Sequence, residues 1–143
     1  MLFRSPRSIG CVHTAPYPGF PTDLQSQLSV LMSKARGVTT ITENLFENRF
    51  QHLDEIAKLG ARVCKKGKSA IIQGVKTLAA SQDETSPTNL NAHDLRGGVA
   101  LTIAALASNG SSIIHNADYI YRGHADIEKD LISLGANILR TDA

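Results

Sequence analysis

An α/β fold made of two successive copies of one helix–strand–helix–strand–strand unit is predicted by three features of this 143-residue chain. First, landmarks recur in the same order roughly seventy residues apart, as an internal duplication requires. Asp23-Leu24 and Asp94-Leu95 open apolar-periodic stretches that stop at Gly37 and Gly110. Arg49-Phe50 and Arg122-Gly123 then precede shorter stretches, which close with Leu59-Gly60-Ala61 and Leu134-Gly135-Ala136. Second, within each copy the pattern changes from helical spacing to β-branched runs typical of strands. Third, 42% of the residues are hydrophobic, which at this length supplies one core and not two.

In the first copy, Thr22 and Gln25 are spaced as a capping box, and Leu24, Leu28, Leu31, Met32 and Ala35 recur at helical spacing as far as Gly37. Pro18, Gly19 and Pro21 make the preceding loop stiff, so Asp23 is expected at a helix N-terminus on a rigid support. Val38–Thr42 is β-branched throughout and predicts a strand. A loop over 43–49 leads to a short helix through Leu53, Ile56, Ala57 and Leu59, stopped by Gly60. Residues 61–64 and 69–72 then form a hairpin about the turn Lys65-Lys66-Gly67-Lys68.

The second copy starts with Asp94 as N-cap, followed by a helix with Leu95, Val99, Leu101, Ile103 and Leu106 as its apolar set. Ser112–His115 predicts a strand, 126–134 a helix with Ile127, Leu131 and Leu134 inward, and 137–140 a strand. No counterpart of the 69–72 strand follows, which leaves a sheet edge open. Residues 81–91 (SQDETSPTNLN) are polar and turn-forming and predict an exposed loop. The expected organisation is an extension or first strand over 1–13 and one partial domain over 14–143, with repeats 14–73 and 74–143.

A formal charge of +2 and 5% aromatic content without Trp argue against nucleic acid as a partner. No apolar run approaches the 18 or more residues of a membrane span, so the chain is expected to be soluble. Residues 97–107 fit a buried helix better. Cys11 and Cys64 have no CxxC partner and predict neither zinc site nor disulfide, but buried or incidental thiols. The first 22 residues lack Asp and Glu and contain Arg4 and Arg7, a composition faintly like a transit peptide but too short to carry weight.

Several motifs point to no chemistry. Gly67-Lys68-Ser69 ends like a phosphate-binding loop, yet Arg62 stands where that loop needs glycine and a β-branched run replaces the required helix. The lysines of this turn are therefore expected in solvent. His93 beside Asp94 has no second ligand at metal spacing and is expected in a loop, and no metal is expected. His52 and His124 are expected as solvated histidines at helix starts.

Asp23 has two readings: a first-turn acid stabilised by the helix dipole, or a carboxylate offered to a substrate hydroxyl as base or orienting acceptor. Arg96 favours the second, because an arginine in a first helical turn opposes the dipole. It is either a local partner of Asp94 or an anion ligand helped by helix N–H groups. Arg49 and Arg122 occupy corresponding loop positions, and three permanently charged planar forks suit a small polyanion carrying carboxylate or phosphate.

Four segments carry a family resemblance: Ala15-Pro16-Tyr17-Pro18-Gly19-Phe20-Pro21-Thr22-Asp23, Thr42-Glu43-Asn44-Leu45-Phe46-Glu47-Asn48-Arg49-Phe50, Asp94-Leu95-Arg96-Gly97-Gly98 and Tyr121-Arg122-Gly123. Together they resemble the UDP-N-acetylglucosamine 1-carboxyvinyltransferases, enolpyruvyl transferases that open peptidoglycan synthesis, over about residues 14–140. The resemblance implies an inside-out α/β barrel, of which this chain holds about two βαβαββ-type repeats of one domain. It is confined to the last third or so of such an enzyme. It implies enolpyruvate transfer from phosphoenolpyruvate to the 3-hydroxyl of UDP-N-acetylglucosamine with release of phosphate, without a cofactor.

Carried over by motif, Asp23 contacts the sugar hydroxyl and acts as its base. Leu45 contacts the UDP-sugar through its backbone, and Arg49, Arg96 and Arg122 surround phosphoenolpyruvate. The family's cysteine loop and Lys-Asn pair have no counterpart, and neither Cys11 nor Cys64 inherits that role. The chain alone is thus expected not to turn over. The expected partner is an N-terminal portion that covers the open edge, or a second copy through self-association. Two departures stand out: the 81–91 connection is longer than the family's usual one, and Gly98 stands where Ala or Ser is commoner. The sister shikimate-pathway enzyme is a weaker match because residues 42–50 follow the UDP-sugar pattern, and a non-catalytic binding module is the alternative of a different class.

Overall fold

A computed structural model of the chain describes residues 6–83 and 85–141. Arg4, part of the transit-peptide-like composition, lies outside the described residues. Strand β1 (Cys11–His13) pairs in parallel with β2 (Val38–Thr42), Cys11 opposite Thr40 and His13 opposite Thr42. Between them run a 3₁₀ turn (Thr22–Leu24) and helix α1 (Gln25–Ser33). Helix α2 (Gln51–Ala57) leads to the hairpin of β3 (Arg62–Lys66) and β4 (Ser69–Gln73). The sheet order is β1-β2-β4-β3, with β4 antiparallel to both neighbours. Gly67, at φ 57°, turns the hairpin where a side chain would be strained.

The second copy repeats the strand–helix–strand crossover. β5 (Leu78–Ala79) and β6 (Thr88–Asn91) precede α3 (Leu95–Leu106), and β7 (Ser108–Asn109) and β8 (Ser112–His115) follow it. β5 pairs with β7 and β6 with β8, both in parallel. β6–α3–β8 thus matches β1–α1–β2. Two short helices, α4 (Asp118–Tyr121) and α5 (Ile127–Ser133), complete the described structure. The three sheets remain separate, and none closes into a barrel among the described residues.

The core lies between helices and sheet. Ile41, Leu53, Ile56, Leu59, Ile72, Leu78 and Leu90 are wholly buried there. Helices α1 and α3 pack directly on each other, and small residues, Ser26, Ser29 and Ser33 of α1 and Gly97, Gly98, Ala100 and Ala104 of α3, are buried on them beside Val30, Met32 and Leu101. Small side chains let two helix axes approach closely. Of the larger residues expected inward, Met32 and Leu101 are buried and others are not. Leu24 and Leu31 are 53% and 52% exposed, Ile103 and Leu106 each 40%.

Other expectations are corrected. The Thr22–Gln25 capping box does not form, because the Thr22 hydroxyl donates instead to Glu43 and the Gln25 side chain is buried. The last four residues of the expected 81–91 loop are strand β6, polar in sequence but paired with β8. Residues 137–140 form no strand, since no partner strand lies beside them. Helix α5 forms but buries no residue: Ile127 and Leu131 are only half-buried, and Leu134, also expected inward, is 84% exposed. Cys11 and Cys64, on the two outer strands of the four-stranded sheet, are free and exposed, the incidental of the two expected states rather than the buried one. Among the described residues no helix is long and apolar enough to cross a membrane.

Candidate functional site

The loop before Asp23 is braced on itself. Ala15 N–H donates to Phe20 C=O at 3.0 Å and Gly19 N–H to Pro16 C=O at 2.8 Å. A Cβ on Gly19 would stand 2.5 Å from that of Ala15, so only glycine permits this closure. Asp23 is then presented by the 3₁₀ turn ahead of α1.

Arg96 is presented by the first turn of α3. The Asp94 carboxylate caps that turn, accepting from the Arg96 and Gly97 N–H groups at 2.8 Å each. Asp94 is therefore occupied with the backbone, and the Arg96 side chain turns to the first copy: its Nε donates to Asp23 Oδ1 at 2.5 Å. This hydrogen bond holds the Asp23 carboxyl below its ordinary 3.8 despite slight desolvation, and the charges of Arg96 and Arg49 act in the same direction. Asp23 in turn raises the pKa of Arg96.

Arg49 follows Asn48, which adopts a left-handed backbone at φ 55°, a conformation Asn tolerates better than most residues. Its guanidinium lies over the Phe46 ring, 4.4 Å from the centroid. Leu45 and Arg49 line a cleft of about 390 Å³ between this loop and the Gly67-Lys68 turn. Asp23, Arg96 and Arg122 do not line it; Arg49 joins the cleft to the Asp23–Arg96 pair through its charge.

Arg122 caps α4, exposed, with its guanidinium 4.9 Å from the Tyr119 ring centroid. Helix α4 sits on the start of α3. A Cβ on Gly98 would stand 2.6 Å from Ile120 Cγ1, and one on Gly123 3.0 Å from Leu95 Cδ1. Ile120 thus fills the space that a larger residue at 98 would need. Arg122 shares the α3 N-terminal end with Arg96, but its side chain is engaged with Tyr119 rather than with Asp23.

Three polar groups here are not evident from the sequence. Glu43 is buried and accepts from the hydroxyls of Thr14 and Thr22 at 2.8 Å each, from Leu45 N–H at 3.0 Å and from Phe46 N–H at 3.2 Å. Burial would raise its pKa, yet these donors together bring it below 4.5. Glu55 is likewise buried, accepts from Lys58 Nζ at 2.7 Å and Asn91 N–H at 2.8 Å, and lies 3.7 Å from His93 Nε2. His52 is 2% exposed rather than solvated, because α2 turns it inward against Gly97 in the first turn of α3. Neither ring nitrogen makes a hydrogen bond of normal geometry, and burial pushes its pKa down to about 4 against the opposing pull of Asp94 and of the Arg49 backbone. His124 is exposed. A carboxylate closing a β-branched run, as Glu43 does, is the one hint in the sequence of an interior acid. Among the described residues no three His, Cys, Asp or Glu side chains gather as metal ligands.

Comparison with known proteins fits this arrangement. The family model described as EPSP synthase (3-phosphoshikimate 1-carboxyvinyltransferase) matches residues 6–131. A UDP-N-acetylglucosamine 1-carboxyvinyltransferase 2 of Caldanaerobacter subterraneus subsp. tengcongensis is 41% identical over 137 residues, which are 96% of this chain and 31% of that protein. The UDP-N-acetylglucosamine 1-carboxyvinyltransferase of Nitrobacter winogradskyi is 46% identical over 132 residues, 92% of this chain and 29% of that one. This chain therefore spans about three-tenths of the length of these relatives. Among solved structures, the enolpyruvyl transferase NikO from Streptomyces tendae superposes with TM-score 0.82 at 32% identity, covering 96% of this chain and 30% of NikO. EPSP synthase from Acinetobacter baumannii shares the fold at TM-score 0.67 and 17% identity, over 83% of this chain and 28% of that one. With its duplicated crossovers and the Asp23–Arg96 pairing between them, the chain belongs to the EPSP synthase family of carboxyvinyltransferases, whose inside-out α/β architecture it carries in part.

Proposed function

We propose that this chain forms one wall of an enolpyruvyl-transfer site, in which enolpyruvate passes from phosphoenolpyruvate to the 3-hydroxyl of UDP-N-acetylglucosamine and phosphate leaves. The observation that carries it is the hydrogen bond between Asp23 of the first copy and Arg96 of the second, with Arg49 close enough for its charge to act on the same carboxylate. In this reading Arg96, Arg49 and Arg122 receive the carboxylate and phosphate of phosphoenolpyruvate, and Leu45 meets the UDP-sugar at the cleft through its backbone.

The pairing also bears on how Asp23 would work. While Arg96 holds it, Asp23 is a weak base. An incoming polyanion competes for the guanidinium, and as that hydrogen bond is given up the carboxylate regains basicity beside the hydroxyl whose proton it accepts. The UDP-sugar is favoured over a shikimate phosphate because relatives at 41% and 46% identity are named for it. The reaction would open peptidoglycan synthesis, hence cell-wall formation, cell shape and division, in the cytoplasm. The rest of the cleft would come from an N-terminal portion, and self-association is the other way to cover the exposed surface.

Amide NMR of the whole chain, titrated with phosphoenolpyruvate and then UDP-N-acetylglucosamine, tests the reading. Weak binding is expected, since half a cleft buries little ligand, with the largest shifts at Asp23, Leu45, Arg49, Arg96 and Arg122. Shifts confined to residues elsewhere on the surface would refute it.

A further inference from the structure

The Glu43 carboxylate is shared between the two loops that carry Asp23 and Arg49. Its Oε1 accepts from the Thr14 hydroxyl and from the Leu45 and Phe46 N–H groups, while Oε2 accepts from the Thr22 hydroxyl. Thr22 adjoins Asp23, and the Phe46 ring supports the Arg49 guanidinium at 4.4 Å. Asp23 and Arg49 are thus each one short step from a ligand of this carboxylate. Further bonds fix the acceptor itself. Glu43 N–H donates to Lys68 C=O at 2.8 Å, and Asn44 N–H donates to the Thr14 hydroxyl at 2.9 Å, so that hydroxyl both gives and receives.

We propose that Glu43 is a positioning residue that locks the Asp23 loop to the Leu45–Arg49 loop, Oε2 setting Asp23 against Arg96 through Thr22 and Oε1 setting Arg49 through Phe46. This deepens the proposed function and rests on it for the ligand, but not for the coupling. A carboxylate with four donors is well suited to hold the loops together, because hydrogen bonds to an ionised acceptor are the stronger kind and its two oxygens can keep two segments at a fixed separation. Aspartate, one methylene shorter, could not span the same two sets of donors. The burial of Glu43 at 2% exposure keeps water from competing.

The test is the titration of the Asp23 carboxyl followed by carbon NMR in the full chain. Thr22→Val removes the hydroxyl on the Oε2 arm while keeping side-chain shape, and should move Asp23 up to its ordinary 3.8. Thr22→Ser keeps the hydroxyl and should leave Asp23 low. Amide exchange at Leu45 and Phe46 should stay slow in both, and should speed up by about tenfold or more in Glu43→Ala, which removes a charged acceptor. An Asp23 titration that stays low in a folded Thr22→Val chain overturns the proposal. Should that variant fail to fold, the unaltered chain decides: the Thr14 and Thr22 hydroxyl protons should exchange slowly enough to be seen and should contact the Glu43 side chain, and their absence overturns it as well. No ligand enters these measurements. A chain that does not bind phosphoenolpyruvate would refute the proposed function and leave the positioning role intact.

Discussion

Asp23 and Arg96 lie 73 positions apart and meet in a 2.5 Å hydrogen bond, one from each copy of the duplicated unit. The pair is exposed, Asp23 at 59% and Arg96 at 34%, so it contributes little to stability even though it governs the carboxylate. Arg96→Ala should raise the Asp23 titration toward 3.8, read by carbon NMR, while costing less than about 1 kcal/mol in urea unfolding. Because the folded pKa is depressed, that small contribution is present above 3.8 and lost as pH falls through the folded value. An unmoved Asp23 titration in the variant would show that the two do not interact in solution.

The two interior glutamates set the acid limit. Glu43 and Glu55 both have pKa values below their ordinary 4.5: burial opposes the charge, and hydrogen bonds from Thr14 and Lys58, with backbone N–H groups, outweigh it. Their stabilisation is complete above 4.5 and disappears as pH falls through the folded values. The melting temperature should therefore drop steeply below 4.5, and Glu55→Gln should make that drop shallower. An equal acid slope in the variant would place the acid sensitivity elsewhere.

His52 acts in a separate, higher window. The unfolded chain takes a proton near 6.5, whereas the folded chain resists it until about 4. Protons therefore favour the unfolded state across that interval, and stability should decline by about 2 kcal/mol between about pH 7 and about pH 5. His52→Leu removes the buried ring and should flatten this part of the profile. Urea unfolding at the two pH values decides it, and an unchanged slope would rule out His52 as the cause.

Which parts of this architecture can be read from the residues follows from where their partners lie. Val38–Thr42 and Ser112–His115 announce themselves by their own β-branched or apolar residues. Thr88–Asn91 does not, because what makes it a strand is β8, on the far side of α3. The inward faces of α1 and α3 are hidden in part for a different reason: apolar periodicity assumes that bulk goes inside, and here Ser, Gly and Ala are buried beside Val30, Met32 and Leu101. Asp23 and Arg49 stand out because charged counterparts, Asp94 and Arg122, recur in the second copy, and Arg96 because an arginine opposes the dipole of a first helical turn. Glu43 and His52 do not, since their significance lies in burial and in donors drawn from distant segments.

Helix α5 and the segment after it leave Ile132, Leu134 and Leu139 exposed at 51%, 84% and 82%. Apolar surface of this kind favours association between chains. Sedimentation velocity should show concentration-dependent self-association, and replacing Leu134 and Leu139 by Lys should reduce it. A chain that stays monomeric at every concentration would remove this surface as a cause of association.

Gly74 and Gly60 separate two ways in which a missing side chain matters. A Cβ on Gly74 would stand 1.4 Å from Ala35 O and 2.6 Å from its carbonyl carbon, at the point where the chain leaves β4 and passes under the end of α1. That approach is fixed by backbone bonds, Gly74 N–H to Gly37 C=O at 3.0 Å and Val75 N–H to Ser33 C=O at 2.7 Å. Relief would require separating sheet from helix, so Gly74→Ala should cost more than about 3 kcal/mol, at or beyond the usual range for overpacking. At Gly60 the φ is 84° and no atom lies within 4 Å of the added Cβ, so Gly60→Ala meets only backbone strain and should cost about 1–2 kcal/mol. Urea unfolding of both variants gives the comparison. Equal losses would mean that the helix end and the sheet are free to part, and that the contact at Ala35 does not hold α1 to the sheet.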